Sequence, residues 1–230
     1  MKYGILCAMD EEIKSLHDNL ENETTKNIKG IDFFAGTING ESVVLVKSGI
    51  GKVEAGITSV LLVTEFDVDI IINTGSAAGI GTGLSVGDVV VSTETAYHDA
   101  DATAAGYEYG QVPDQPARFK ADQAFVNQLV AASNAVGLEA KTGLIVSGDQ
   151  FIASQQQIDT ILSHFPDALS SEMEGAAVGQ VANQFNIPYV VIRAMSDVGD
   201  ENADVSFNEF VVEAGKRSAK MMLNFLQNQD

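Results

Sequence analysis

Four carboxylates stand where this sequence could put them to chemical use. Glu172 and Glu174 flank Met173 in "SSEMEGAAVG", Asp197 closes "YVVIRAMSD", and Glu12 follows the first apolar run "YGILCA". A carboxyl group can act as a base when ionised and as an acid when its surroundings keep it protonated. Each position also has a plain structural reading. An aspartate directly after a buried strand often caps a helix or turns the chain. Asp10, Glu11 and Glu12 suit a first helical turn, where the helix dipole favours acids. Helical geometry nevertheless separates them. Glu11 points away from the Met9–Ile13–Leu16 face, whereas Glu12 flanks it. A helix starting near Met173 places Glu174, Ala177, Val178, Val181 and Phe185 on one stripe, expected to face the sheet. Glu174 then sits at the tip of a buried stripe and needs strong donors, because burial without them is costly or shifts the pKa. Arg193 in the next strand is one candidate donor, and paired hydroxyls of a ligand are another. A salt bridge to Arg193 with no further role is the alternative.

Several familiar motifs fail on context. Gly83 to Gly87 matches the nucleophile-elbow string, but a strand follows where the elbow needs a helix. "GIGK" at Gly49 to Lys52 lacks the phosphate-loop pattern, since Val46 and Val53 stand at its glycine and hydroxyl positions. "GSAAGIGTG" fits no register of the dinucleotide fingerprint, although its glycines could bring backbone close to a ligand. His98, Asp99 and Asp101 lack a second nearby histidine, so no metal and no cofactor are expected.

The elements that must position the carboxylates alternate between strand and helix. "YGILCA" reads as a buried strand and "MDEEIKSLHDNL" as a helix with Met9, Ile13, Leu16 and Leu20 on one face. "IDFFAGTI" and "SVVLVKSG" form a hairpin about Asn39-Gly40. "KVEAGITSVLLVTEF" is a helix. "DIIINTG" is a strand expected to end in the loop "GSAAGIGTG", and "GDVVVST" is another strand. A long loop, "AYHDADATAAGYEYGQVPDQPARF", precedes the helix "ADQAFVNQLVAASNAVG" and the strand "AKTGLIVSGD". "PYVVIRAMSD" is the last strand. The last helix, "SFNEFVVEAGKRSAKMMLNFLQ", is expected to open at Ser206 and Glu209, which stand at capping-box spacing. Phe207, Phe210, Val211, Ala214, Met221, Met222 and Phe225 form its expected buried stripe. The alternation implies one α/β domain over residues 1–230, with helices on both faces of a largely parallel sheet. Ligands of such sheets bind beyond the carboxyl ends of the strands, here "CAMDEE", "KSGIGK", "NTGSAAG", "VSGDQF" and "RAMSD".

Composition narrows the classes. The 230 residues carry a formal charge of −19 and 45% hydrophobic side chains. Such acidity repels nucleic acid and anionic membrane surfaces. No apolar run is long enough to span a bilayer, and the first residues do not read as a signal peptide. Cys7 is the single cysteine, which excludes an internal disulfide and fits a reducing cytoplasm.

Nine ordered segments then carry a resemblance: "GILCAMDEE", "KSGIGKV", "INTGSAAG", "GDVVVS", "YHDADATAAGYEYGQVP", "GLIVSGDQFI", "SEMEGAAV", "VIRAMSDV" and "SFNEF". Together they resemble the bacterial 5′-methylthioadenosine/S-adenosylhomocysteine nucleosidases of the nucleoside phosphorylase superfamily, over nearly the whole chain. The resemblance implies a single-domain α/β fold with a central mixed, twisted sheet flanked by helices. It implies hydrolysis of the N-glycosidic bond of adenine nucleosides, 5′-deoxyadenosine included. Asp197 would be the general acid at adenine N7, supported by Ser196. Glu12 would be the base on the attacking water, supported by Ser76 and Arg193. Ala77 and Ala78 would lie in the loop beside that water. Glu174 would accept from the ribose hydroxyls, with Glu172 ordering Arg193. Phe151 would stack on adenine and the Ile152 backbone would read its edge. Met9, Ile50, Met173 and Phe207 would line the alkylthio pocket. Ala102, Tyr107 and Pro113 would close it from a neighbouring subunit of a homodimer. Ala78, Ala102 and the Gly199-Asp200-Glu201 stretch depart from the family pattern. A phosphorylase of the same superfamily and a non-catalytic nucleoside-binding module remain alternatives. The first needs an anion site where Glu11 and Glu12 stand.

Overall fold

Three apolar runs lie side by side at the centre of the molecule. β1 (Lys2–Cys7) and β10 (Tyr189–Asp197) both pair in parallel with β5 (Ile70–Gly79). Every residue of β10 is buried, as a near-continuous apolar run in a covered sheet requires. The structure, a computed structural model, describes residues 1–229. β4 (Glu41–Lys47) lies parallel to β1, and β3 (Ile31–Ile38) returns antiparallel to β4. Their turn places Asn39 at φ 53° and Gly40 at φ 89°, the paired left-handed geometry that such hairpin turns demand. β2 (Glu21–Ile28) forms the edge beyond β3.

On the other side of β5 the sheet curls back on itself. β6 (Val89–Tyr97) runs antiparallel to β10, β8 (Ala140–Ser147) parallel to β6, and β9 (Ala168–Glu172) parallel to β8. β9 then meets β5 at Ala78 and Gly79. Strands β5, β10, β6, β8 and β9 thus close a ring, from which β1, β4, β3 and β2 extend as an open wing. The short β7 (Phe119–Lys120) pairs with β6. The sheet is mixed, and closure removes an edge that would otherwise need covering.

Helices cover both faces. α1 (Asp10–His17), α3 (Gln123–Ala135) and α6 (Ala203–Gln227) bury Ile13, Leu129 and Phe225 against one face. α2 (Lys52–Phe66) and α5 (Gly175–Phe185) bury Leu62 and Val178 against the other. α4 (Gln155–His164) covers a third apolar cluster with Ile158 and Ile161. A Cβ at Gly215 of α6 would lie 2.7 Å from the Glu11 carbonyl oxygen, so glycine is what lets α6 pack onto the start of α1. No helix among the described residues is long and apolar enough to cross a membrane.

The structure corrects four expectations. β5 runs on through "GSAAG" to Gly79, so Ser76, Ala77 and Ala78 are strand residues and the loop starts at Ile80. α6 starts at Ala203, so Ser206 and Glu209 lie inside it and Phe210 is exposed. α5 begins at Gly175 with Glu174 as its cap residue, and Phe185 is exposed rather than part of the buried stripe. The long loop contains one 3₁₀ turn at Thr103–Ala105, and β6 takes its first residues, through Tyr97. The elements β2, β7, α4 and β9 were absent from the sequence reading, which kept Phe119 of β7 in the long loop.

Candidate active site

The carboxyl ends of β1, β4, β5, β8, β9 and β10 converge on one cavity of about 370 Å³. Ala8, Met9 and Glu12 reach it from the first strand and helix, Ile50 from the loop after β4, and Ser76, Ala77 and Ala78 from β5. Gln150, Phe151 and Ile152 follow β8. Ser171, Glu172, Met173 and Glu174 come from the β9–α5 corner, Ser196 and Asp197 from β10, and Phe207 from α6. Among these described lining residues none is Lys, Arg or His. Ala8, Gln150 and Ser171 are lining residues that the sequence reading missed. Gln150 lies inside a strand-end segment singled out for ligand contact, whereas the β9 end that carries Ser171 was not recognised at all.

Glu12 is only 3% exposed, yet its carboxylate is completely satisfied. Oε2 accepts from the Ala8 and Met9 amides at 2.9 and 3.1 Å. Oε1 accepts from the Ser76 amide and hydroxyl at 2.9 and 2.8 Å. Four donors match the roughly four lone-pair sites of a carboxylate. The bond to Met9 is also the helix-capping reach of a glutamate at the third helical position. Local helix geometry therefore aims Glu12 inward while Glu11 stays exposed. Gly75 makes room for it, since a Cβ there would lie 2.7 Å from Oε1.

Asp197 occupies the opposite kind of setting. The β10–β5 register shifts between Met195 and Asp197, an irregularity of the sort that re-aims a side chain next to a site. Its carboxyl takes two donors, the Ser196 hydroxyl on Oδ2 and the Gly199 amide on Oδ1, each at 2.9 Å. Gly199 adopts φ 68°, which favours glycine and turns that amide back onto the carboxyl. Burial pushes the Asp197 pKa above the usual aspartate value, and the two hydrogen bonds only partly oppose this.

Glu172, Glu174 and Arg193 form a buried cluster at the α5 N-terminus. Glu172 accepts from the Arg193 guanidinium and the Ser147 hydroxyl. It also accepts from the Glu174 and Gly175 amides at 3.1 and 2.9 Å, satisfying free helix-terminal amides. Arg193 Nη2 also donates to Asn73 at 2.6 Å and lies 3.4 Å from Glu174 Oε2. The nearest donor to Glu174 is the Gly51 amide, 2.8 Å from Oε1. Burial first, and then the neighbouring Glu172, push the Glu174 pKa upward. Arg193 is thus not the main partner of Glu174, and its hydrogen bonds go to Glu172, Glu174, Asn73 and the Ile192 carbonyl rather than to Glu12. It lies beneath the cavity, outside its lining.

The apolar remainder is divided. Phe151 is 45% exposed at the mouth and meets Phe207 edge-on at 5.7 Å, and Met9, Ile50 and Met173 line the same cavity. Ala102, Tyr107 and Pro113, on the long loop after β6, are not among its lining residues. Of the three residues considered as metal ligands, Asp99 binds Lys52 and Asp101 accepts from Thr103, whereas the buried His98 Nε2 has no hydrogen-bond partner among the described residues. Chemically, the cavity offers a fully hydrogen-bonded carboxylate at Glu12, two carboxyl groups that burial biases toward their protonated forms, Asp197 and Glu174, the latter pushed up to about 8, and an apolar, aromatic wall. It can bind a mostly neutral ligand with one hydroxylated part and move protons at two separate places.

Comparison with known proteins fits this geometry. The phosphorylase superfamily model matches residues 2–227. The fold is similar to that of the Streptococcus pneumoniae 5′-methylthioadenosine/S-adenosylhomocysteine nucleosidase with a transition-state inhibitor. That pair has 46% identity, a TM-score of 0.96 and 100% of each chain covered. It is also similar to the Neisseria meningitidis enzyme in complex with methylthio-immucillin-A, at 43% identity, TM-score 0.97 and 99% of each chain. The Streptococcus pyogenes S-adenosylhomocysteine nucleosidase gives 41% identity and TM-score 0.97 over 100% of this chain and 98% of that one. The chain belongs to the phosphorylase superfamily, within its family of 5′-methylthioadenosine/S-adenosylhomocysteine nucleosidases.

Proposed function

We propose that this protein hydrolyses the N-glycosidic bond of 5′-methylthioadenosine and S-adenosylhomocysteine, and of 5′-deoxyadenosine, releasing adenine and the 5-substituted ribose. The observation that carries the reading is one cavity with two differently kept carboxyl groups, Glu12 and Asp197. Asp197 donates its proton to adenine N7 as the C1′–N9 bond breaks, leaving an oxocarbenium-like ribose. A water adds its oxygen to C1′ and gives a proton to Glu12. The Ser76 hydroxyl is the one rotatable donor on Glu12. Its rotation frees Oε1 for the water, while three backbone amides keep the carboxylate in place. Glu174 accepts from the ribose hydroxyls. Phe151 stacks on the base, the Ile152 backbone reads its edge, and Met9, Ile50, Met173 and Phe207 surround the thioether. Arg193, held by Glu172, keeps this carboxylate cluster compatible with burial.

The absence of Lys, Arg and His among the described lining residues favours hydrolysis over phosphorolysis, because a phosphate nucleophile needs cationic donors among these carboxylates. The reading also includes a homodimer. Val53, Ile57 and Phe185, from α2 and α5, are exposed apolar side chains on the same side of the molecule. A depression of about 330 Å³ is lined there by Val53, Val60, Val181 and Phe185. A second copy covering this face would bring Ala102, Tyr107 and Pro113 to its neighbour's pocket. One domain over residues 1–230 working in the cytoplasm completes the proposal.

The test is product analysis with 5′-methylthioadenosine, with and without phosphate. Adenine and free methylthioribose formed at a phosphate-independent rate support hydrolysis. Methylthioribose 1-phosphate formed only with phosphate overturns it. No product despite nucleoside binding supports a binding module instead. Light scattering at micromolar concentration checks the dimer, and a monomer carrying full activity would contradict that part.

A further inference from the structure

Glu174 is held mainly by one backbone amide, and that amide belongs to a loop tied down from outside the cavity. Gly51 caps α2 at φ 101° and ψ 166°, a left-handed conformation that favours glycine. Its N–H reaches Glu174 Oε1 at 2.8 Å. The next amide, Lys52 N–H, donates to Asp149 Oδ1 at 2.9 Å. Asp149 thus does the work of an N-cap acceptor for α2 from a different loop. The Lys52 ammonium binds both oxygens of Asp99 at 2.7 and 2.6 Å. Asp99 Oδ2 accepts in turn from the Asp149 amide at 2.9 Å.

Three loops, after β4, β6 and β8, are therefore joined by Lys52, Asp99 and Asp149. Asp99 is mostly buried, with its side chain 12% exposed. Burial pushes its carboxyl up, but the bonds from Lys52 and the Asp149 amide outweigh this and hold it below the usual range. The clamp is therefore an ionised one.

We propose that Asp149 is a positioning residue for ribose recognition, acting with Lys52 and Asp99 by fixing the α2 N-terminus so that the Gly51 amide orients Glu174. This rests on the reading above that Glu174 accepts from the ribose hydroxyls. The other donor near Glu174, the Arg193 guanidinium, is shared with Glu172 and Asn73 and stands 3.4 Å away. It cannot replace a lost amide at the same oxygen. Asp149 is itself half exposed and touches no part of the substrate in this scheme.

The test compares kcat/KM for 5′-methylthioadenosine with that for its 2′-deoxy analogue. Asp149→Ala is expected to lower this ribose preference about three- to tenfold, through KM rather than kcat, the scale of losing one capping bond. Asp149→Asn keeps the acceptor and should retain the preference. Lys52→Met, which leaves Asp149 in place, should shift the preference in the same direction as Asp149→Ala. In a Glu174→Gln background, Asp149→Ala should add nothing. An equal loss for both nucleosides, or an undiminished Asp149→Ala effect in that background, overturns the proposal. If Glu174→Gln alone leaves the preference unchanged, the ribose reading of Glu174 fails first and the clamp falls with it.

Discussion

Glu12 and Asp197 are both carboxyl groups buried at strand ends, and they are buried differently. Glu12 meets four donors, three of them backbone amides. Asp197 meets two, and burial pushes its pKa up. Burial raises the Asp197 pKa and two donors only partly oppose it, which suits that group to delivering a proton. Donors are divided as unevenly between the other two carboxyl groups of the lining: Glu172 is wrapped by Arg193, Ser147 and helix amides, whereas Glu174 has the Gly51 amide and a long contact to Arg193.

The largest test of the contrast is to neutralise each group. Glu12→Gln and Asp197→Asn should each lower kcat by about 10²–10⁴-fold, measured at saturating substrate. Their stabilities should move in opposite directions. Glu12→Gln sets an amide NH₂ against existing donors and should cost about 1–3 kcal/mol of unfolding free energy. For Asp197 the folded pKa lies above the ordinary 3.8. The folded state thus binds the extra proton, and its stability falls as pH rises from that value through the folded pKa. Asp197→Asn removes this loss, so its Tm should exceed wild type at neutral pH and converge with it near pH 4. A Tm difference independent of pH would contradict the assignment.

Gly75→Ala comes next. Its methyl group would enter the space of Glu12 Oε1 without touching Asp197. A base displaced by about 1 Å can cost on the order of 10²-fold in kcat, whereas the pH dependence set by Asp197 should persist. Ser76→Ala removes one of four donors and should cost about tenfold in kcat, the scale of one charged hydrogen bond. A value unchanged from wild type would show that the hydroxyl does not hand Oε1 to water. The smallest effect is expected at Ser196. Its hydroxyl donates to Asp197 and opposes the rise in pKa. Ser196→Ala should therefore move the basic limb of the kcat–pH profile to higher pH, and movement to lower pH would sink the acid role.

Much of this site was legible because its residues sit at the ends of strongly apolar strands. The α2 boundaries and the Asn39-Gly40 turn followed from local pattern alone. So did the inward direction of Glu12 against Glu11, because a helix separates neighbours in angle. What stayed hidden lacked such a pattern. β2 reads "ENETTKNI" and has seven exposed residues, so no apolar alternation marks it as an edge strand. β9 reads "ALSSE", with both serines buried, and its strand character comes from pairing with β8 and β5 rather than from its own composition. Ring closure through β10 and β5 joins segments more than a hundred residues apart. The partition of Arg193 among Glu172, Asn73 and Glu174 depends on that closure, so the sequence could suggest only the simplest pair. At α6 the capping-box pattern at Ser206 pointed four residues too late, because the cap is Asn202 and the chain is already helical at Ala203.

The most direct measurement is a carbon-13 NMR titration of the aspartate side-chain carboxyls, with Asp197→Asn supplying the assignment. The account predicts that the Asp197 carboxyl titrates above the ordinary aspartate value, and that the resonance is missing from the variant. Titration at or below that value would leave no proton on Asp197 for the leaving base, and would contradict the division of labour between it and Glu12.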